Sequence, residues 1–320
     1  MPFVNSTSEV QTSQVLSTFA TEYQPRGLIG GRLLTRIPVA KTAGSYRTRN
    51  KSNMLRNDNV EIGDVGLPGL VQAGYSSASF ACENYAAEAH IPVVFEEVAD
   101  DSLNLRMDAT REVKMRLAVA EESRIATIIT TTSNYASGNY ATLAGTDQWS
   151  DYANSDPFDD IRTYLLTIYA SPDARKVGWC GVQVWQKLQD HPAIVERVKY
   201  VGSMGGAGSP AMVTQQAFAA LFGLDDFLVS DLLTTSTNPG QTATYSYMWG
   251  KDFGVVAVEP SQSTMFLGFG ARFVYQDVVI SEVFDSRPGL NGVTMIKGAH
   301  SVDEVVAASD AGFVLKAAVA

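Results

Sequence analysis

Asp100-DSLNLRMDATREVKMRLAVAEESRIATIIT-Thr131 is the stretch whose reading organises the rest of the chain. Leu105, Ala109, Val113 and Leu117 fall at four-residue steps, and Ala118, Ile125, Ile128 and Ile129 carry the apolar stripe onward with some drift. Asp100 or Asp101 supplies a cap, and both acids favour the positive end of a helix. Glu112 and Arg116 stand at i,i+4 in the favourable order, and Glu121 and Arg124 at i,i+3. The spacing predicts one helix of about 30 residues, roughly 45 Å long. A rod of that length suits a strut lying across a flat molecule.

Outward from this helix the pattern changes in both directions. Residues 1–35 are rich in Ser, Thr, Gln and Gly, with Gly27, Gly30 and Gly31 interrupting the one hydrophobic stretch. They are expected to form an extended arm that needs a neighbour to bury its surface. Residues 36–95 are expected to be β-structure around a long loop. Strands are predicted at Ile37–Lys41 and Ser45–Asn50, and a further extended run at Tyr75–Val94. The connecting stretch Asn57–Gly74 has four glycines and Pro68 and no helical period. Two extended runs joined this way predict a projecting hairpin.

Beyond the long helix, residues 156–262 alternate helices and strands and are expected to form an α/β domain. Asp156-Pro157-Phe158-Asp159 is a helix start, with Asp156 as cap and Pro157 at the first helical position. Strands are predicted at Val177–Cys180, Phe227–Ser230, Tyr245–Trp249 and Gly254–Val258. Helices are predicted at Val182–Gln189, from Pro192 through Val198, and from Thr214 to Gly223. Residues 263–320 return to β-structure. Strands at Arg272–Gln276, Val278–Phe284, Gly292–Lys297 and Gly312–Ala318 are expected to rejoin the sheet beside the long helix.

The chain has 320 residues, a size for about two domains, with 45% hydrophobic and 18% charged residues, which is material for a packed core. MPFVNSTSEV has no basic region followed by an apolar stretch, so no secretory signal is expected. The apolar runs fall short of the ~18 residues that span a bilayer, so a soluble chain with no membrane partner is expected. Cys82 and Cys180 are two cysteines far apart, neither a disulfide framework nor a zinc site. Net charge is −10, unevenly spread. Residues 1–58 carry eight basic and three acidic residues, a net +5, which leaves −15 for the remainder. A basic leading part and an acidic body suit parts that dock on one another.

Chemistry is sparse. His90, His191 and His300 are isolated and make no metal-ligand spacing, and no nucleophile elbow, P-loop or CxxC occurs. Asp151, Asp156, Asp159 and Asp160 do not match a calcium loop, and capping explains them better. Gly206-Ala-Gly208-Ser-Pro-Ala211 fits a GxGxxA dinucleotide fingerprint, with Asp231 about 20 residues on. Pro210 within its turn, a short following helix and a mid-chain position without further βαβ units argue against that reading. No catalytic residue, cofactor or metal is expected.

Several phrases, in order, resemble the Hong Kong ninety-seven type capsid proteins of tailed bacteriophages. Ile37-Pro-Val-Ala-Lys-Thr-Ala-Gly-Ser-Tyr46 is similar to the lead-in of their extended loop, and Phe80-Ala-Cys-Glu-Asn-Tyr-Ala-Ala-Glu-Ala89 to its returning strand. Trp149-Ser-Asp and Ser155-Asp-Pro-Phe-Asp-Asp-Ile161 resemble the lead-in to the axial domain. Val184-Trp-Gln-Lys-Leu-Gln-Asp-His-Pro-Ala-Ile-Val-Glu-Arg197 is the most specific match. Ala219-Ala-Leu-Phe-Gly223, Phe227-Leu-Val-Ser230 and Met248-Trp-Gly-Lys-Asp252 continue it, so the likeness covers about residues 30–320.

The resemblance implies an α+β capsid fold with an N-arm at 1–35 and an E-loop region at 36–95. It implies a P-domain with a spine helix at 96–155, an α/β A-domain at 156–262 and P-domain return strands at 263–320. It implies a non-enzymatic major capsid protein of the virion, assembled in the host cytoplasm into hexamers and pentamers of an icosahedral shell around double-stranded DNA. Implied partners are further copies of itself, a separate scaffolding protein, a portal and a decoration protein. Arg47, Arg49 and Arg56 are candidate inter-subunit contacts; Leu117, Asp156 and Pro157 are structural. The alternatives are an encapsulin-type nanocompartment shell and, in another class, a nucleotide-binding oxidoreductase using Gly206–Ala211.

Overall fold

The long helix, α3 (Ser102–Thr130, 29 residues), spans about 43 Å in this computed structural model. The structure describes residues 27–49, 74–98, 102–170, 173–201, 213–235, 237–238, 240–261, 268–289 and 291–320. The proposed caps Asp100 and Asp101, the loop core 57–73 and Gly206–Ala211 lie outside them. Along α3, Val113, Leu117, Ile125, Ala126 and Ile129 are buried, while Asp108, Arg111, Glu112 and Arg116 face solvent. The outer face carries Arg116–Glu112 at 2.6 Å and Arg111–Asp108 at 3.1 Å. Glu121 and Arg124 do not bond each other as i,i+3 partners. Each turns to the sheet, to Arg272 and Glu304, where a buried charge has more to gain from a partner.

Before α3 come a short α1 (Gly30–Leu33), β1 (Thr35–Pro38), β2 (Ala43–Arg49), β3 (Tyr75–Ala81), β4 (Glu83–Pro92) and α2 (Val93–Val98). After it come β5 (Tyr140–Thr142), α4 (Pro157–Leu165), β6 (Arg175–Gly181), α5 (Val182–Asp190), α6 (Pro192–Val201) and α7 (Gln215–Phe222). The chain continues through β7 (Asp226–Ser230), β8 (Leu233–Thr235), β9 (Tyr245–Tyr247), β10 (Phe253–Val258), β11 (Gly270–Asp285), β12 (Val293–Val306) and β13 (Gly312–Lys316).

The first body is a sheet of order β1-β11-β12-β4 with α3 lying across β12 and β4. Ile91, Val113, Leu117, Ile280 and Ile296 form its core under the helix. Gly298 on β12 makes the close approach possible. A Cβ there would stand 2.7 Å from Val113 Cγ1 and 3.0 Å from Leu117 Cδ1. Two predicted strands, Arg272–Gln276 and Val278–Phe284, are one strand, β11, with register shifts between Val274 and Val279. The bulges expose Tyr275 to Val279, which interrupts the alternation and mimics a turn. Similarly, the run Tyr75–Val94 breaks into β3, β4 and α2, since at Cys82 the chain passes from pairing with β2 to pairing with β12 and Pro92 closes the strand.

β2 and β3 form a separate antiparallel hairpin, in register from Ala43↔Ala81 to Arg49↔Tyr75. Its root is pinned to β11 by Tyr46 and Phe80, whose rings lie 5.0 and 4.5 Å from that of Phe273. β1 begins earlier than expected, at Thr35, and pairs parallel with β11. Residues 27–35 are not an exposed arm: Ile29, Leu33, Leu34 and Thr35 are buried within the same chain. Of the three glycines that look like interruptions in the sequence, Gly30 is the one that lets this segment approach α3 closely: a Cβ there would stand 2.8 Å from Glu122 Oε2 and 2.9 Å from Ile125 Cγ2.

The second body is a mixed sheet of order β5-β13-β10-β6-β7, flanked by α4 to α7. Trp149, Trp179, Trp249, Phe218, Phe253 and Phe313 fill its core. Asp156 Oδ1 accepts from the N–H groups of Phe158 (3.0 Å) and Asp159 (3.4 Å), and Pro157 sits at N1. Thr214 caps α7, and Gly223 ends it in the left-handed region at φ 65°. The last strand corrects the sequence reading. β13 does not return to the sheet beside α3 but pairs with β10 and β5. Gly312 to Leu315 are all buried, as befits a central strand covered on both faces.

Leu117 is 4% exposed and faces Gly298 in the first core. Leu117→Asp buries an unpaired charge there, at a cost of at least several kcal/mol against a typical total of ~5–15. Soluble expression should be lost. Normal yield and an unchanged unfolding midpoint would show that this face is not the buried one.

Candidate inter-subunit surfaces and the buried charge seam

The candidate residues do not converge. Arg47 is exposed on β2, opposite Ser77. Arg49 ends the same strand opposite Tyr75, and Arg56 lies outside the described residues. Leu117 belongs to the core, and Asp156 with Pro157 builds a helix terminus. Among the described residues no group of three or more His, Cys, Asp or Glu side chains could hold a metal ion. Among them, too, no helix is long and apolar enough to cross a membrane. Cys180 is buried, with its thiol pushed well up by burial; Cys82 is half-buried and also raised, again by burial first.

His191 and Ser155 come within 3.2 Å, the distance of a nucleophile and its base. The hydrogen bonds run the other way. His191 Nδ1 accepts from Ala193 N–H (3.2 Å), which leaves the proton on Nε2, facing Ser155. The Ser155 hydroxyl donates to the Asp151 carbonyl (2.7 Å). The imidazole is therefore a donor to Ser155, tying the start of α6 to the loop before α4, and burial holds its pKa down. His90 is exposed beside Glu88.

What sequence reasoning missed is a polar seam between α3 and its neighbours. Glu122 is 3% exposed. Its Oε1 accepts from the N–H groups of Ile29 (2.9 Å) and Gly30 (3.0 Å) and from Trp249 Nε1 (2.8 Å). Burial raises its pKa, and the three donors pull against that rise. Beside it, Arg272 meets Glu121 at 2.7 Å and Arg124 meets Glu304 at 3.0 Å. The Arg124 guanidinium lies 3.6 Å from the centre of the Tyr85 ring. The signal was present in the sequence: Glu122 occupies a stripe position, four after Ala118 and three before Ile125, where an acid must be partnered.

Solvent-facing apolar side chains mark candidate contact surfaces. Phe95 (65% exposed) and Val98 (79%) project from α2 near one end of the first sheet, on which Phe284 is also exposed. Arg106 holds that end in place, bonding Glu96 at 2.8 Å and Glu282 at 2.7 Å. On the second body, Leu166 (83%) and Tyr169 are exposed after α4, and Leu233, Tyr245 and Tyr247 on the β8–β9 hairpin.

No family model matches the chain. The major capsid protein of Pseudomonas phage JBD67 is 27% identical over 306 residues, spanning 95% of this chain and 96% of that protein. Among solved structures, a phage-related protein of Bordetella bronchiseptica RB50 superposes with a TM-score of 0.72 at 20% identity, covering 97% of this chain and 98% of that one. The capsid protein of cyanophage P-SCSP1u superposes at 0.58 with 12% identity, covering 92% and 89%. The chain has the tailed-phage major capsid fold. The mixed helices and sheets, in the order given above, are those of the phage capsid fold.

His300, on the α3 face of β12, provides a test of the seam. It is 2% exposed, and neither ring nitrogen meets a hydrogen-bond partner among the described residues. Burial first, then Arg124 and Arg272, hold its pKa down to about 4. The unfolded chain takes up this proton as pH falls through about 6.5, and the folded chain resists it, so stability should decline as pH falls across that window. His300→Leu removes the titration. Its unfolding midpoint should drop less than the wild type's between about pH 7 and about pH 4.5; equal drops would refute the assignment.

Proposed function

We propose that the chain is a phage major capsid protein whose copies assemble as hexamers and pentamers into a closed icosahedral shell around double-stranded DNA. The observation that carries this reading is the end-to-end likeness to a phage major capsid protein, covering 95% of this chain. The geometry supports it. Two sheet bodies share one long helix, a hairpin stands apart on an aromatic root, and large apolar side chains face outward at several separate places. A subunit with neighbours on several sides needs such dispersed contact points.

On this reading α3 is the spine of the P-domain, β2 and β3 belong to the E-loop, and the second body is the A-domain with β13 included. The N-arm is the part ahead of residue 27, since residues 27–35 belong to the body. A separate scaffolding protein, a portal and a decoration protein are the partners such a shell uses, and the virion is its location. An encapsulin-type shell shares the fold; the sequence likeness to a phage protein favours the phage reading.

Electron microscopy of the protein expressed with its scaffold should show closed shells. A strictly monomeric product would overturn the proposal, and shells that enclose a co-purifying enzyme rather than DNA would move it to the nanocompartment reading.

Charge gives a second test. A strongly basic inner wall would hold DNA fast through counterion release, whereas a body of net −15 lets it slide. The +5 of residues 1–58 then serves acidic neighbours, with Arg47, Arg49 and Arg56 contacting adjacent subunits. Exposed pairs are worth only ~0–1 kcal/mol each, but they repeat around every subunit and are screened by salt. Assembly yield should fall as salt rises. Arg49→Glu should impair assembly more than Lys187→Glu on α5. A salt-independent yield, or equal effects of the two reversals, would sink the idea.

A further inference from the structure

The ladder between β11 and β12 ends at Asp285↔Val293, and the turn that joins the two strands contains Asn291-Gly292, the one Asn-Gly step in the chain. Asn291 is exposed, and its side-chain amide bonds no described residue. No described residue accepts a hydrogen bond from the Gly292 N–H either. The far side of Gly292 is fixed. Its carbonyl accepts from the Val93 N–H at the start of α2 (3.2 Å). It lies at φ 87°, close against the Phe284 ring, where a Cβ would stand 2.8 Å from Cζ.

An asparagine loses its amide when the backbone nitrogen of the next residue attacks the side-chain carbonyl carbon. That attack needs an accessible amide, a following residue without bulk, and an N–H that is not tied down. Glycine, with no Cβ, offers the least hindered nitrogen. Every other described asparagine lacks at least one of these conditions. The Nδ2 groups of Asn134, Asn139 and Asn154 donate to the Ile128 carbonyl (2.7 Å), the Gly312 carbonyl (3.0 Å) and Asp151 Oδ2 (2.9 Å). Asn84 lies within β4, opposite Ser301, and is followed by Tyr85. Asn238 is followed by Pro239, which has no N–H to attack with.

We propose that Asn291 is a site of spontaneous deamidation that places a new carboxylate at the α2 end of the first sheet. The Gly292 nitrogen gives up its proton to hydroxide and bonds to Asn291 Cγ. The Cγ–Nδ2 bond breaks, and the amide leaves with a proton from water as ammonia. The resulting cyclic imide takes up one water. Opening at Cγ gives aspartate, and opening at the main-chain carbonyl gives isoaspartate. One water is consumed and one ammonia released, with no change of oxidation state. Either product adds a negative charge to the turn that follows Phe284 and Asp285, at the end where Phe95 and Val98 are exposed. The isoaspartate form also lengthens the main chain by one methylene ahead of Gly292, whose carbonyl holds the start of α2. The age of the molecule, with no enzyme, then sets the charge of this surface. The inference does not rest on the shell reading.

The test is peptide mapping by mass spectrometry on the purified full chain, incubated at neutral and at mildly alkaline pH. The incubation lasts until a free peptide of the same sequence has converted. The tryptic peptide ending at Lys297 should gain about 1 Da and one negative charge, and part of it should accept a methyl group from an isoaspartyl methyltransferase. Conversion should speed up as pH rises, because the attacking nitrogen must be deprotonated. It should exceed that at Asn134, Asn139 and Asn154 by at least about tenfold. Asn291→Gln, whose longer side chain closes a ring more slowly, should keep the wild-type unfolding midpoint and lose the conversion. Retention of Asn291 in the folded chain would overturn the proposal, since the turn would then hold the nitrogen away from Cγ. Equal conversion at all four asparagines would overturn it as well.

Discussion

One helix belongs to two cores, and the rest of the molecule is arranged around that constraint. Val113 and Leu117 of α3 pack into the first sheet, whereas Ile125, Ala126 and Ile129 pack into the second body. Leu117 and Ile125 are about 12 Å apart along the axis. Over that interval the apolar stripe must pass from one core to the other, and an uninterrupted apolar face has nothing to bury itself in. Glu121, Glu122 and Arg124 occupy the gap. Their partners sit on β11, β12, the loop after β9 and the start of α1, so four separate parts of the chain are referred to one stretch of helix.

Such pairs are weak net stabilisers, because desolvating the charges offsets most of the attraction. Their value here is positional. Sliding α3 by one turn, about 5.4 Å, would disturb the close fit of Val113 and Leu117 over Gly298, a misfit of a kind that costs ~1–3 kcal/mol. It would strand Glu122 away from the Ile29, Gly30 and Trp249 donors and leave buried charges unpaired, which is the expensive outcome. The charges reinforce the register that the close seat of Val113 and Leu117 over Gly298 sets.

This division explains what was legible in the sequence. Local rules read well: the cap at Asp156 with Pro157, the stop at Gly223 and the length of α3 depend on neighbours a few residues away. Membership of a sheet does not. The run Gly312–Leu315 is legible as a buried strand, but nothing in it names β10 as partner rather than β12. The bulges between Val274 and Val279 look like a break because alternation is lost although pairing with β12 continues. Glu121 and Arg124 look like an i,i+3 pair because sequence spacing cannot show that strands carrying Arg272 and Glu304 lie closer to hand. Of the candidate site, the residues recognised early are those with local structural work, and the seam emerged only once long-range neighbours were known.

The same logic extends to the surface. Phe95 and Val98 do not point outward through looseness, because α2 follows directly on β4 and Glu96 is clamped by Arg106, itself bonded to Glu282 of β11. The structure uses ionic contacts to hold an apolar face toward solvent, where isolated burial would otherwise draw it inward. Tyr46 and Phe80 fix the hairpin root while leaving the exposed Arg47 beyond it. In each case the interior bond sets position and the exposed group is held facing solvent. Dispersed, rigidly presented apolar and basic points suit a subunit that meets several neighbours at once, since each contact alone is weak and a closed assembly sums them.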